Sequence, residues 1–518
     1  MWRPSHNPWA IAVVVALAAF MEILDTSIAN VALPHMAGSL AVTNEESTWV
    51  LTSYLVSNAI VLPISGWIAG VVGRKRFFMT CIVLFTVSSL LCGMAPTLGL
   101  LILFRILQGG GGGGLQPMAQ AILADTFPPE RRGLAFGLYG ITAIVGPTIG
   151  PTLGGWITDN YDWRWIFYIN LPVGILAFLL ITRLVEDPPY LARKTRSVVS
   201  FDYVGVALLV LGVGALQVML DKGQQDDWFD SSFILTLAIV ATVSLVALVL
   251  WEWFRKEPII DVQLFRNLNF ATTNLMMFMA GVVLFSSLVM LPQFLQTLLG
   301  YDATTAGLVL SAGGLVLLVE MPVVGQLTTK VQARYLIASG WLMIAVGMFY
   351  TTRNLNLLIS STHASWLRVV QAAGLAFVFV PVTLVAYVGL PPEKSNSISG
   401  ILNFMRNLGS SVGTSLVTTM TAVRAQVHQV TLVAHATQFN PQFRAAMREL
   451  TAHLSRGRSP STARMRAAGA MYAAIIAQAT TLAYVDAFSL LAVLSVVMLA
   501  LTFVLRKNAV GGAPARLE

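Results

Sequence analysis

Long apolar runs recur from one end of this 518-residue chain to the other, each about the length that crosses a lipid bilayer. Charges that would coat a water-facing surface are scarce: 11% of residues are Asp, Glu, Lys or Arg, and 56% are hydrophobic. A soluble domain is about a quarter charged. Lipid offers no partner to backbone N–H and C=O groups, so such runs cross it as helices. The expected class is an all-α polytopic membrane protein. Fourteen transmembrane helices are expected, at about 10–33, 48–70, 77–95, 99–124, 134–157, 165–184, 203–220, 232–254, 270–296, 304–327, 335–352, 366–390, 397–420 and 484–505. The first run holds Glu22 and Asp25 and no small-residue cleavage site follows it, so it reads as a span rather than a signal peptide.

The net charge of +8 is distributed as membrane orientation requires, not as a nucleic-acid surface. Basic residues gather in alternate connections: GRKR (73–76), PPERRG (128–133), RLVEDPPYLARKTR (183–196), RKEPIIDVQLFRN (255–267), TTKVQAR (328–334) and the tail RK (506–507). The opposite set, including DKGQQDDWFD (221–230), is poor in them. The positive-inside rule then puts the first set and both termini in the cytoplasm. Residues 421–471 hold seven arginines on the other side. Long loops cross largely regardless of charge, and this one reads as a polar segment with short helices outside the bilayer.

An internal repeat divides the chain. Arg105 and Gln108 recur 263 positions later as Arg368 and Gln371, and Pro128-Pro129-Glu130 as Pro391-Pro392-Glu393. Gly137, Gly146 and Gly150 map at the same offset onto Gly400, Gly409 and Gly413; Pro63 and Gly66 map onto Pro322 and Gly325 at 259. The expected organisation is an N-terminal six-helix half (1–200), an inserted helix pair (201–267) and a C-terminal six-helix half (268–518) carrying the long extracytoplasmic loop 421–471.

Several motifs in order carry a resemblance. GWIAGVVGRKR (66–76), with Gly66, Gly73 and Arg74, resembles motif A of the major facilitator superfamily, and RILQG (105–109) resembles motif B. GITAIVGPTIGPTLGG (140–155), with Gly146, Pro147, Gly150, Pro151 and Gly154, resembles the antiporter motif C. LDTSIANVALP (24–34), WRWIFYINLPVG (163–174) and LQVMLDKGQQDDWF (216–229) are similar to the fourteen-span drug:proton antiporters, on the EmrB side of the EmrB/QacA subfamily. The resemblance runs from about residue 10 to 505. It implies the major facilitator fold, alternating access in a bacterial inner membrane, and a coupling role for the first-helix acid. It also implies a periplasmic adaptor (EmrA-like) and an outer-membrane channel (TolC-like) as partners. Three features depart from the pattern. Gly70 stands where many members carry an acid, the glycine run exceeds motif B, and Ser410 lies opposite Pro147.

Charges inside the spans mark the candidate site. Each costs roughly 2.5–3.5 kcal/mol at mid-bilayer on insertion scales, so it defaults to a functional hypothesis. Asp25 lies about 12 Å below the outer end of the first helix and Arg105 about 9 Å below the same surface. Glu22 is one turn below Asp25 on the same face. Asp25 is the expected proton carrier, with Arg105 tuning it and Glu22 beside it; the competing reading is a static ion pair. A carboxylate's proton affinity depends on burial and neighbouring charge, so helix movement would bind or release a proton. In the second half, Glu320 and Arg406 are expected at similar depth as gate, substrate contact or structural clasp, with Gln108 and Arg368 as further candidates. Asp486 reads as a solvated carboxylate near the outer end of the last helix.

The six glycines of FRILQGGGGGGLQPM (104–118) are not a phosphate loop, because Leu-Gln-Pro follows where Lys-Ser/Thr is needed. Small residues instead let membrane helices approach closely. Motif C gives the same stripe at every fourth residue, beside two kinking prolines. Cys81 and Cys92, about 16 Å apart along one helix, are packing residues and not a disulfide. No Ser/His/Asp set, metal-ligand cluster or nucleotide loop points to an enzyme or a cofactor beyond the proton. The expected function is a proton-coupled multidrug efflux antiporter for hydrophobic drug-like compounds. The rivals are an exporter of one metabolite or siderophore, and a non-transporting receptor on a transporter bundle.

Overall fold

The structure, a computed structural model, describes residues 4–188, 202–255, 258–455 and 459–505. The basic stretches at 189–196 and 256–257, Arg456, Arg458 and the tail RK lie outside these residues. All regular structure among the described residues is helical. The first half comprises α1 (Pro8–Leu40), the one-turn α2 (Asn44–Ser47), α3 (Trp49–Val72), α4 (Arg74–Met94), α5 (Leu98–Thr126), α6 (Pro129–Asn160), the one-turn α7 (Trp165–Tyr168) and α8 (Asn170–Leu184). The inserted pair is α9 (Tyr203–Lys222) and α10 (Ser232–Phe254). The second half comprises α11 (Leu268–Leu299), α12 (Ala303–Leu327), α13 (Ala333–Asn354), α14 (Ser361–Ala372), α15 (Leu375–Ala386), α16 (Ser395–His435), α17 (Pro441–Leu454) and α18 (Pro460–Leu501).

Thirteen helical stretches among the described residues, with α7–α8 and α14–α15 each taken as one, are long and apolar enough to cross a membrane. The expected thirteenth of fourteen spans is α16, which is helical throughout but too rich in Ser, Thr, Asn and Arg to join that set. Starts follow local chemistry: Asn7, Thr97, Asp302 and Ser459 each accept a backbone N–H from the first turn that follows. Only Gly73 separates α3 from α4, at φ +96°, a conformation that L side chains rarely adopt.

Two outcomes differ from expectation. The expected span at 366–390 is present as one membrane-length stretch, Ser361–Ala386, but a turn at Ala373 and Gly374 divides its helix into α14 and α15, with Gly374 pressed against the backbone of Gly340 and Ile344. The segment 421–471 is a projecting helical hairpin rather than a loop with short helices. Here α16 continues to His435, α17 folds back, and α18 begins at Pro460 and runs for 42 residues. Asp486 is therefore mid-helix. Its Oδ2 accepts from Arg424 Nε at 2.6 Å and pairs with His428 Nε2 at 2.8 Å, clasping α16 to α18.

The repeat reappears as matched contacts. A methyl on Gly137 would lie 2.7 Å from the Met321 carbonyl, and one on its mate Gly400 would lie 3.0 Å from the Leu62 carbonyl. Motif C packs α6 on α1: a methyl on Gly146 would meet Ile23 at 2.7 Å, and Gly154 abuts Ile28. Gly409 and Gly413 pack α16 on α11 in the same way, against Phe278 and Val282. Small residues supply this close approach where lipid gives helices little other reason to associate. Pro151 lacks the N–H that would bond the Pro147 carbonyl, and Ser27 Oγ of α1 donates to that carbonyl at 3.4 Å.

The glycine run is an uninterrupted part of α5, wedged between α3 and α4. Added methyls would strike Phe85 N at 2.7 Å from Gly111, Asn58 O at 2.7 Å from Gly113, and Tyr54 O, Tyr54 Oη and Cys81 Sγ from Gly109, Gly112 and Gly114. Gly110 alone of the six has room, its nearest neighbour being Ser57 Oγ at 3.7 Å.

Candidate functional site

A cavity of about 990 Å³ lies between the halves. Its walls come from α1, α3, α5, α6, α9, α11, α12, α15 and α16. It reaches the outer helix ends at His35, Asp159 and Gln296, all exposed. At the inner end, where α1 begins, the halves close on each other. A methyl on Gly66 would lie 2.6 Å from Ser397 Cα, and one on Gly325 would lie 2.8 Å from the Gly133 carbonyl. Arg74, at the start of α4, locks this closure. Its Nη2 donates to Asp125 Oδ2 of α5 at 2.6 Å and to Ser395 Oγ of α16 at 3.1 Å. Asp125 thus supplies the carboxylate that Gly70 lacks, from another helix.

Asp25 and Arg105 meet in the core of the first half. Arg105 Nη1 donates to Asp25 Oδ2 at 2.6 Å, and Asp25 Oδ1 accepts from Gln108 Nε2 at 2.9 Å and Asn170 Nδ2 at 2.7 Å. Arg105 is held further by the Val50 carbonyl at 3.1 Å and by the face of Tyr54, 4.2 Å from the guanidinium. Asp25 is 2% exposed and stands behind the cavity wall rather than on it.

Glu22 is on the wall. Its Oε1 accepts from Tyr54 Oη at 3.1 Å and Asn58 Nδ2 at 3.0 Å, and its Oε2 from Gln116 Nε2. The Gln116 carbonyl oxygen in turn accepts from Tyr139 Oη at 3.2 Å and from Arg406 Nη2 of the other half. One amide therefore links an N-half acid to a C-half base. Tyr54 touches both charge centres, bonding Glu22 and stacking on Arg105.

Glu320 and Arg406 are not brought together: no ion pair joins them among the described residues, and Glu320 Oε2 is buried without a partner. Glu320 is on α12 outside the cavity lining, while Arg406 lines the cavity. Arg368 is the repeat mate of Arg105 but has no acid. It donates to Ser287 Oγ at 3.0 Å and Gln371 Oε1 at 3.4 Å. The contacts of Ile23 and Ser27 with motif C correspond to those of Phe278 and Val282, an offset of 255 that puts Ala280 at the place of Asp25. The two halves share a scaffold and differ in charge.

Sequence reasoning passed over Gln116, Tyr54, Asn170 and Asp125, and it gave the inserted pair no place at the cavity. Gln217, Leu220 and Asp221 of α9, and Gln224 in the turn after it, line it. A buried amide such as Gln116 carries no formal charge, and a search for charges inside the spans passes over it.

Residues 15–414 match the family model for the Major Facilitator Superfamily. The chain is 38% identical over 438 residues to the multidrug export protein EmrB of Escherichia coli (strain K12), covering 85% of each chain. It is 40% identical over 428 residues to the multidrug export protein EmrB of Haemophilus influenzae, covering 82% of this chain and 83% of that one. Among solved structures, the proton:xylose symporter XylE matches with a TM-score of 0.60 at 15% identity, covering 96% of both chains.

Proposed function

This chain belongs to the Major Facilitator Superfamily, and we propose that it is a multi-pass membrane exporter of hydrophobic drug-like compounds, driven by exchange for protons. The likeness to two multidrug export proteins supports the substrate class. The observation that carries the mechanism is the Glu22–Gln116–Arg406 link across a cavity sealed at its inner end.

Ionised Glu22 holds the Gln116 amide, whose other end holds Arg406. Protonation of Glu22 removes the charge that anchors Gln116, loosens the link between halves, and permits the inner gate at Gly66, Arg74 and Asp125 to open. Asp25, tied by three donors, acts through Arg105 and Tyr54 on Glu22. Alternating access then exchanges a drug for a proton, with the protonation of these acids tied to the position of the halves. An inner-membrane location with cytoplasmic termini fits the basic connections. The hairpin α16–α18 is a candidate surface for a periplasmic adaptor (EmrA-like), which would hand cargo to an outer-membrane channel (TolC-like).

The test is proton flux from energised proteoliposomes on adding lipophilic cations and then lipophilic weak acids, for wild type, Glu22→Gln and Asp25→Asn. Drug-evoked flux in the wild type that both variants lose is the expected result. Unchanged flux in folded Glu22→Gln protein overturns the proton role, and a silent wild type overturns the exporter.

A further inference from the structure

We propose that α9, the first helix of the inserted pair, is part of the binding site, and that its Asp221 recognises the positive charge of lipophilic organic cations. This rests on the export reading and specifies a substrate class for it. The outer end of α9 and the turn that follows it form one wall of the central cavity through Gln217, Leu220, Asp221 and Gln224. Contacts to both halves fix their position. Gln217 Nε2 donates to Ser411 Oγ of α16 at 2.8 Å, Trp228 Nε1 donates to Thr419 Oγ1 at 3.1 Å, and Thr52 Oγ1 of α3 donates to Asp221 Oδ2.

Asp221 differs from the other charges that face the cavity. The oxygens of Glu22 are taken by Tyr54, Asn58 and Gln116, Arg105 is neutralised by Asp25, Arg406 is bound by Gln116, and Asp159 at the rim lies 3.9 Å from His35. Asp221 has one hydroxyl partner and no ion pair among the described residues, and it is exposed to the cavity. Its neighbour Lys222 is close enough for its charge to be felt but forms no ion pair with it, donating instead to Thr48 and Gln225 and lying 5.4 Å from the centre of the Trp49 ring. Apolar lining from Leu284, Phe285, Leu288 and Val289 of α11 supplies the surface for a greasy body. A carboxylate without an ion pair, in a cavity that also has an apolar wall, suits an ion whose charge is wrapped in hydrocarbon. Such an ion is weakly hydrated, and a charge contact gains strength where water is excluded.

The experiment measures equilibrium binding of tetraphenylphosphonium and of tetraphenylborate, ions of like size and shape and opposite charge, to the purified full chain. Wild type, Asp221→Asn and Asp221→Glu are compared against protein-free micelles. Asparagine retains an acceptor for Thr52, so the wall stays in place. Asp221→Asn is expected to weaken tetraphenylphosphonium binding by about tenfold, about 1.4 kcal/mol, and to leave tetraphenylborate unchanged or tighter. Asp221→Glu keeps the wild-type preference. Unchanged cation binding in Asp221→Asn, or equal weakening of both ions, overturns the assignment while leaving export intact. A wild type that binds neither ion overturns the export reading together with this one.

Discussion

The Arg74 guanidinium lies 2.6 Å from the Asp125 carboxylate, both almost fully buried at the inner end of the bundle. The pair joins α4 to α5, and Ser395 Oγ, 3.1 Å from Arg74 Nη2, extends it to the other half. Removing one partner of a buried pair costs about 3–5 kcal/mol because the other charge is stranded. The ion pair itself lies within the first half, and what crosses the closed inner end is Ser395 Oγ, which accepts from Arg74 and donates to Asp125 Oδ2 at 3.3 Å.

Asp125→Asn weakens the hydrogen bonding to Ser395 across the halves and is therefore expected to shift the chain toward an inner-open state by up to about tenfold in population, the worth of one such bond to a charged group. Spin labels at Val72→Cys and Lys330→Cys would report it as a longer inner-end distance. Both native cysteines are buried, which keeps the labelling selective. An unchanged distance distribution counts against the gate.

The glycine run gives a graded prediction. Gly110→Ala is expected to change thermal stability by less than about 1 kcal/mol, as an added methyl without a clash usually does. Gly111→Ala and Gly113→Ala force backbone apart and are expected to cost about 1–3 kcal/mol each. Thermal unfolding in detergent separates them, and equal effects across the run would refute the wedge.

Asp25→Asn and Glu22→Gln should differ in how they fail. Asp25→Asn strands a fully buried Arg105, so a loss of about 3–5 kcal/mol and a clearly lower Tm are expected. Glu22→Gln removes a cavity-wall acid that neutral amides already surround. It is expected to keep most of the stability and lose drug-evoked proton flux.

The projecting hairpin is clasped by Asp486 with Arg424 and His428, where the Asp486 side chain is 28% exposed. Asp486→Asn should cost no more than about 1 kcal/mol, as partly exposed ion pairs do. It should still make residues 436–455 more sensitive to limited proteolysis. Identical digestion kinetics would show that α17 and α18 pack without the clasp.

Much of this architecture was legible because the bilayer imposes it. A span must be long and apolar, so thirteen of the expected fourteen stand out by length and hydropathy, and α16 is found at its expected place although polar. Depth counting set Asp25 level with Arg105, and in the structure they are in contact. The same counting set Glu320 level with Arg406, but depth leaves helix rotation and neighbours open, and these two face different surroundings. The hairpin escaped because hydropathy goes silent outside the membrane, where 3.6-residue periodicity is the only guide. Asp125 and Asp221 escaped because each lies near a helix end, where a charge needs no special explanation.

The length of α16 has a mechanical consequence. It begins beside the inner gate at Ser395, passes Arg406 and the cavity, and continues without a break to His435. One continuous helix thus runs from the closed inner end past the cavity to the tip of the hairpin. A tilt too small to notice at Ser395 becomes a sweep at its far tip, so the helix acts as a pointer that tells anything outside which way the transporter faces.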